Sequence, residues 1–151
     1  MDIHFKDSRE AAAPAEILFD VIVDYASYPR FNPAVSGIDV VRHGRDGAEF
    51  VARRRTAIGR TAHAYDAYRL GADLVVERTY EGMPGARSIW TVHPLDGGRC
   101  LLTIDAAMPL GPIRGLIMKP LLRRIFYRLN FTPFIREAER RAAASAPAGA
   151  G

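Results

Sequence analysis

Two side chains on one short stretch could handle negative charge. Between residues 74 and 81 the chain alternates so that Val76, Arg78 and Tyr80 share one face of a strand, while Val75, Glu77 and Thr79 share the other. If the first face turns inward, Arg78 and Tyr80 become binders of an anionic oxygen. The alternative puts Arg78 on the outer surface, paired with a carboxylate of a neighbouring strand. Between 61 and 70, His63, Tyr65 and Arg69 alternate on one face and Asp66 and Tyr68 on the other, so either face offers a proton relay. The triplet Arg53-Arg54-Arg55 lies on a stretch expected to be a strand from 48 to 58, so a regular strand there turns at least one arginine toward the inside. A basic triplet on a strand is usually a solvated edge. The other reading is that it reaches an acidic substrate, a phosphopantetheine arm or a carrier protein surface.

Other chemistries lack their residues. His4, His43, His63 and His93 are scattered, with no i, i+4 pair and no H-E-x-x-H, so no metal site is expected; of the four, His63 alone merits a test. Cys100 is the single cysteine, which excludes an internal disulfide and a cysteine-based zinc site and reads as a packed strand residue. No G-x-S-x-G supplies a nucleophile elbow, and no glycine-rich loop follows a strand, so no nucleotide cofactor is expected. The expectation is a protein with no cofactor.

These groups need a scaffold, and 151 residues suffice for one domain that buries its own core. Hydrophobic residues make up 48% and charged residues 25%, the balance of a soluble globular protein. The start, Met1 to Lys6, lacks a secretory pattern, and no apolar run is long enough to span a membrane, so the expected location is cytoplasmic. A formal net charge of +4 raises nucleic acid or an anionic membrane surface as partners. Arginine far outnumbers lysine and alanine is abundant, as codon bias in a GC-rich genome also produces, and nucleic acid is therefore not expected.

Residues 3 to 12 read as a first strand. Pro14 suits the first position of a helix, Glu16 falls in its first turn, and Ile17, Leu18, Val21, Ile22 and Tyr25 recur at helical spacing. Pro29 pushes Tyr28 out of the helical region and closes that helix, leaving a compact turn from Tyr28 to Pro33. From Val35 to Met108 turn signals recur, among them Asp46-Gly47, Gly71-Ala72-Asp73 and Asp96-Gly97-Gly98. They predict six strands, at 35 to 45, 48 to 58, 61 to 70, 74 to 81, 86 to 93 and 99 to 108, joined as an antiparallel meander. After Pro112 the helical period returns. Ile113, Ile117, Leu121, Ile125 and Leu129 form one line, with Met118, Leu122 and Phe126 beside it. Pro120 should kink this helix, and Thr132-Pro133 resembles a fresh cap and first turn. The domain is expected to span 1 to 141, and the Ala/Gly-rich run 142 to 151 to be disordered. The order is α+β: a seven-stranded sheet that must curl, with the closing helix on its concave face.

The Ala-Pro-Ala-Glu entry at 13 to 16, Phe19, Asp24, Tyr28-Pro29, Trp90 and the Pro-Leu-Gly-Pro at 109 to 112 resemble the START-like superfamily. That superfamily joins the Bet v 1 allergens, the polyketide cyclase/aromatases, the Coq10-like proteins and the steroidogenic lipid-transfer domains. The resemblance covers about residues 3 to 141. It implies a helix-grip fold, with the long helix held by the sheet above a deep hydrophobic cavity whose mouth lies near the turn at 28 to 33.

It further implies a small-molecule ligand, with an acyl carrier protein among the partners and a monomeric or dimeric state. A cyclase of this kind folds a reactive chain in its cavity and polarises a carbonyl with Arg, Tyr or bound water, which would give Arg78, Tyr80 and Tyr65 the catalytic role. Trp90, Met108, Met118, Leu122 and Phe126 are expected to pack inward and line the ligand site. Phe31 is either a rim residue or a plug against the first helix. The function implied is a polyketide cyclase/aromatase-like activity on a hydrophobic metabolite. Its rival is a non-catalytic carrier or sequestering protein for a lipid, a quinone or a natural product, and a third reading is a basic adaptor for acidic partners.

Overall fold

A computed structural model describes residues 2–33, 35, 37, 54–56, 59–61, 63–80, 85–109, 120, 121, 123–125 and 127–145. Their order is β1 (Asp2–Ala11), α1 (Ala15–Val23), a single 3-10 turn (Tyr25–Ser27), α2 (Tyr28–Phe31), then β2 (Arg54–Thr56), β3 (Gly59–Thr61), β4 (His63–Leu70), β5 (Asp73–Tyr80), β6 (Arg87–Leu95) and β7 (Arg99–Pro109). A π turn at Tyr127–Phe131 then leads into α3 (Thr132–Ser145).

The main sheet is curved, antiparallel and five-stranded, in the order β1-β7-β6-β5-β4, and β2 and β3 form a separate hairpin. The expected single sheet of seven strands is thus divided. The stretch 61 to 70 does not run as one strand, because Thr61 ends β3 and His63–Leu70 form β4. Alternation shows where strands form but not which ladder they join, so this break has no signature in the sequence. The expected strand at 35 to 45 lies outside the described residues apart from Val35 and Gly37, neither of which is in a strand. Chain reversal between β6 and β7 uses Gly97 and Gly98, both at φ near +70° (72° and 70°), where other residues would be strained.

Pro14 caps α1 rather than opening it: its backbone is extended, and its carbonyl accepts from the amides of Ile17 and Leu18. Leu18, Val21 and Ile22 are fully buried on the face that the apolar spacing defined. The helix ends at Val23, earlier than Pro29 would dictate. Tyr28 is helical (φ −52°, ψ −43°) and opens α2, with Pro29 in the first turn. The proline rule is a bias on the preceding residue, and a first-turn proline loses no helix hydrogen bond, so a short helix forms here instead of a turn.

Thr132 and Pro133 do begin a helix, α3. It continues to Ser145, past the point where the sequence reads as disordered, because alanine is the best helix former and Ala142 packs against the core. Phe131, Phe134, Ile135 and Ala138 bury one stripe of this region against the sheet. The Phe134 ring meets Trp90 of β6 edge-on, with centroids 4.9 Å apart. Arg141 fastens the same helix to the end of α1 by donating to Asp24 Oδ2 at 3.0 Å. No helix among the described residues is long and apolar enough to cross a membrane.

Candidate functional site

The face of the sheet that meets α1 and α3 is the one carrying Trp90. Pairing registers place side chains on it in successive rows. Ala67, Val76, Trp90 and Ile104 form one row, and Tyr65, Arg78, Ser88, Ala106 and Phe5 the next. Beyond them, toward the loop between β5 and β6, Tyr80 lies opposite His63 on β4, and Met108 lies opposite Ile3 of β1. Arg78 therefore turns inward, and the outward-facing alternative does not hold.

Its surroundings are unusual for an arginine. Arg78 is only 2% exposed. Its guanidinium lies 4.2 Å from the centroid of the Trp90 ring, with the Tyr25 and Tyr28 rings at 5.1 and 5.7 Å. Nη2 donates to the Tyr28 hydroxyl at 2.6 Å, and that hydroxyl donates to the carbonyl of Ile22 at 2.5 Å. Ile22 lies in the last turn of α1, whose carbonyls have no partner within the helix, so Tyr28 ties the cation to the negative end of a helix. Nε is buried and has no hydrogen-bond partner among the described residues. None of the ion pairs among those residues involves Arg78. Burial works against its charge, the oxygens of Tyr25, Tyr28 and Tyr80 work for it, and the balance lies upward, so Arg78 stays cationic. Burial is also the main reason that the Tyr25 hydroxyl is pushed up to about 12, against the lowering effect of Arg78.

A second polar line begins at Trp90, whose indole N–H donates to Ser88 Oγ at 3.1 Å. The Tyr80 hydroxyl stands 3.4 Å from the same oxygen, a long contact. Indole can only donate, so the serine proton is directed elsewhere, and Tyr80 is the hydroxyl beside it. Exposure rises along this face: Trp90 and Arg78 are covered, while Tyr80 and Met108 are half-buried.

Of the residues singled out by sequence, the fold brings Tyr65, Arg78, Tyr80 and Trp90 together. Tyr65 pairs across the ladder with Arg78, and its ring lies 4.7 Å from that of Tyr25, tilted by 35°. Trp90, at 1% exposure, is a core residue between Arg78 and Phe134. Phe31 is half-buried, its ring 5.5 Å from Tyr28 and 5.4 Å from Phe134. Met118, Leu122 and Phe126 lie outside the described residues, as does Arg53, and Arg54 and Arg55 belong to the separate β2–β3 hairpin. The outer face carries Tyr68, which donates to Glu77 at 3.0 Å, and the exposed Asp66. Cys100 is a packed strand residue whose thiol burial pushes up to about 11, leaving it unreactive. No cluster of three metal-ligating side chains exists among the described residues.

Sequence reasoning missed Tyr25, Tyr28 and Ser88 as parts of this site. Ser88 had a signal: it shares strand parity with Trp90, so a hydroxyl on the Trp90 face could have been read directly.

A family model described as polyketide cyclase/dehydrase and lipid transport matches residues 2–139. The fold is similar to that of the Zhui aromatase/cyclase of a Streptomyces species, at 18% identity and a TM-score of 0.66, over 96% of this chain and 99% of that one. It is also similar to a START superfamily protein of Mycobacterium smegmatis, at 16% identity and a TM-score of 0.63, over 93% and 97% of the two chains. The di-domain aromatase/cyclase StfQ of the steffimycin pathway matches at 16% identity and a TM-score of 0.68, over 95% of this chain and 51% of that one. At such identities the likeness shows the fold alone. No curated protein sequence matches the chain.

Proposed function

Because the chain belongs to the polyketide cyclase/dehydrase and lipid transport family, we propose that it binds a hydrophobic small molecule against the inner face of its sheet and promotes ring closure there. The observation that carries this reading is the buried, cationic Arg78, seated among aromatic rings on that face. An aldol closure breaks the C–H bond beside one carbonyl to give an enolate, joins that carbon to a second carbonyl carbon, and returns one proton to the second carbonyl's oxygen, which is negative until then, so that proton loss and gain balance. Loss of one water then gives the double bond. Neither step needs an oxidant or a reductant.

In this scheme Arg78 holds the developing oxyanion, and its fixed seat on Trp90 and Tyr28 means that little reorganisation is needed at the moment of reaction. Tyr80 donates from the half-buried side of the site, with Ser88 orienting it. Tyr65, beside Arg78 on the ladder, supports the same charge. The apolar rows around them exclude water and bend the chain toward a reactive geometry. The carrier reading, which the family description equally covers, keeps the same seat for the ligand without conversion. An acyl carrier protein is the partner that would deliver a tethered chain.

The test is conversion of a poly-β-ketone thioester, followed by chromatography and mass spectrometry. The expected result is ring-closed product with the wild type, and a rate roughly 100- to 1,000-fold lower with Arg78→Met, the size of losing one oxyanion donor. Binding of the thioester with no conversion by the wild type would overturn the cyclase reading in favour of the carrier.

A further inference from the structure

The charge balance of the site points to the kind of ligand it takes. Arg78 is a full positive charge removed from water. A buried charge is ordinarily paired, because an ion taken out of water loses most of its hydration and only a close opposite charge restores it. The described residues place no carboxylate in ion-pairing distance of Arg78. What they supply is weaker: three ring faces, the oxygens of Tyr25, Tyr28 and Tyr80 and, through Tyr28, the partial charge at the end of α1. The buried Nε has no acceptor among the described residues. Guanidinium is suited to two-point recognition of a carboxylate or a delocalised enolate, since its N–H groups form a planar fork.

We infer that the ligand binds as an organic acid, its anionic oxygen completing the coordination of Arg78 while its apolar body lies along the inner face of the sheet. This rests on the proposed function, in that it assumes the same ligand seat, but it adds a claim about the ground state. The ligand is negatively charged on arrival or loses its proton on binding, and charge does not arise only during ring closure. A neutral ligand of the same shape would gain its apolar burial and at most an ordinary hydrogen bond, and would leave the guanidinium charge without a counter-charge. Tyr80 and Met108 mark the side from which such a ligand would approach, since among the described residues of the inner face they are half-buried where Arg78 and Trp90 are covered.

The experiment is calorimetric titration of the full chain with matched pairs of probes, each a carboxylate and its primary carboxamide: naphthalene, anthracene and dodecanoic acid derivatives. The expected result is that at least one acid binds about ten-fold or more tightly than its amide at neutral pH, the size of a charge-assisted hydrogen-bond pair. Arg78→Met should abolish that preference while keeping affinity for the amide, and Arg78→Lys should retain part of it. Equal affinity of every acid and its amide would overturn the inference and leave the ligand-seat reading standing. A preference that survives Arg78→Met would overturn it too, by assigning the selectivity to another group. Should Arg78→Met not fold, the wild-type comparison and Arg78→Lys still decide. If no member of the set binds at all, the ligand-seat reading itself falls, and the inference with it.

Discussion

Arg78 and Tyr28, fifty positions apart in the chain, meet at 2.6 Å in the interior, the guanidinium donating to a hydroxyl that in turn donates a hydrogen bond to the Ile22 carbonyl. One hydroxyl thus joins the sheet, the short helix α2 and the end of α1. It also fixes the position of a charge that would otherwise have many rotamers available.

Tyr28→Phe removes both bonds. The Ile22 carbonyl and one Arg78 N–H are left buried without partners, each a loss of about 1–3 kcal/mol. Urea denaturation should show a lower midpoint with an unchanged slope. Stability equal to wild type would mean that the chain of bonds is not maintained in solution.

Arg78→Met should act in the opposite sense. Replacing a buried charge by an apolar side chain of similar length is often neutral or stabilising, and the Tyr28 hydroxyl keeps its own acceptor at Ile22. The thermal midpoint of the ligand-free protein is therefore expected to stay level or rise while turnover is lost. A clear fall in the midpoint would mark Arg78 as a structural residue.

Phe134→Ala opens a cavity against Trp90, the only tryptophan in the chain. The expected cost is about 3–5 kcal/mol. Trp90 emission should shift to the red as water approaches the indole. An unshifted emission maximum in the folded variant would contradict the packing of α3 on β6.

Acid stability should depend on Glu137. Hydrogen bonds from Arg140, then from Arg141, hold its carboxyl down to about 2 from an ordinary value of 4.5. A group whose folded value is depressed contributes stability above its unfolded value and loses it as pH falls through the folded one, so the loss should run from about 4.5 to about 2. In Glu137→Gln the slope of stability against pH across that window should be shallower, as followed by circular dichroism.

Much of this was legible beforehand because short-range patterns carry it. Period-two alternation put Val76, Arg78 and Tyr80 on one face, and helical spacing found the buried stripe of α1 at Leu18, Val21 and Ile22. What stayed hidden depends on contacts distant in sequence. Tyr25 reads as one more apolar helix position until the fold sets its ring over Arg78. Tyr28 reads as a turn residue because the effect of Pro29 is local, whereas the bond its hydroxyl accepts from Arg78, fifty residues on, is not. The division between β3 and β4 was equally invisible, since hairpin pairing is chosen by the partner strand and not by the alternating sequence.

Contact between the Arg78 guanidinium and the ligand is what the proposed site requires. It can be read directly from the arginine Nε–Hε resonances in a nitrogen–proton correlation spectrum. The Arg78 signal is identified as the one missing in Arg78→Met, and burial predicts that its proton exchanges slowly with solvent. On titration with the tightest-binding acid from the calorimetric set, that resonance should move to saturation in step with Trp90 fluorescence. A fluorescence change that saturates while the Arg78 signal stays fixed would place the ligand elsewhere and rule out an Arg78-bound anion.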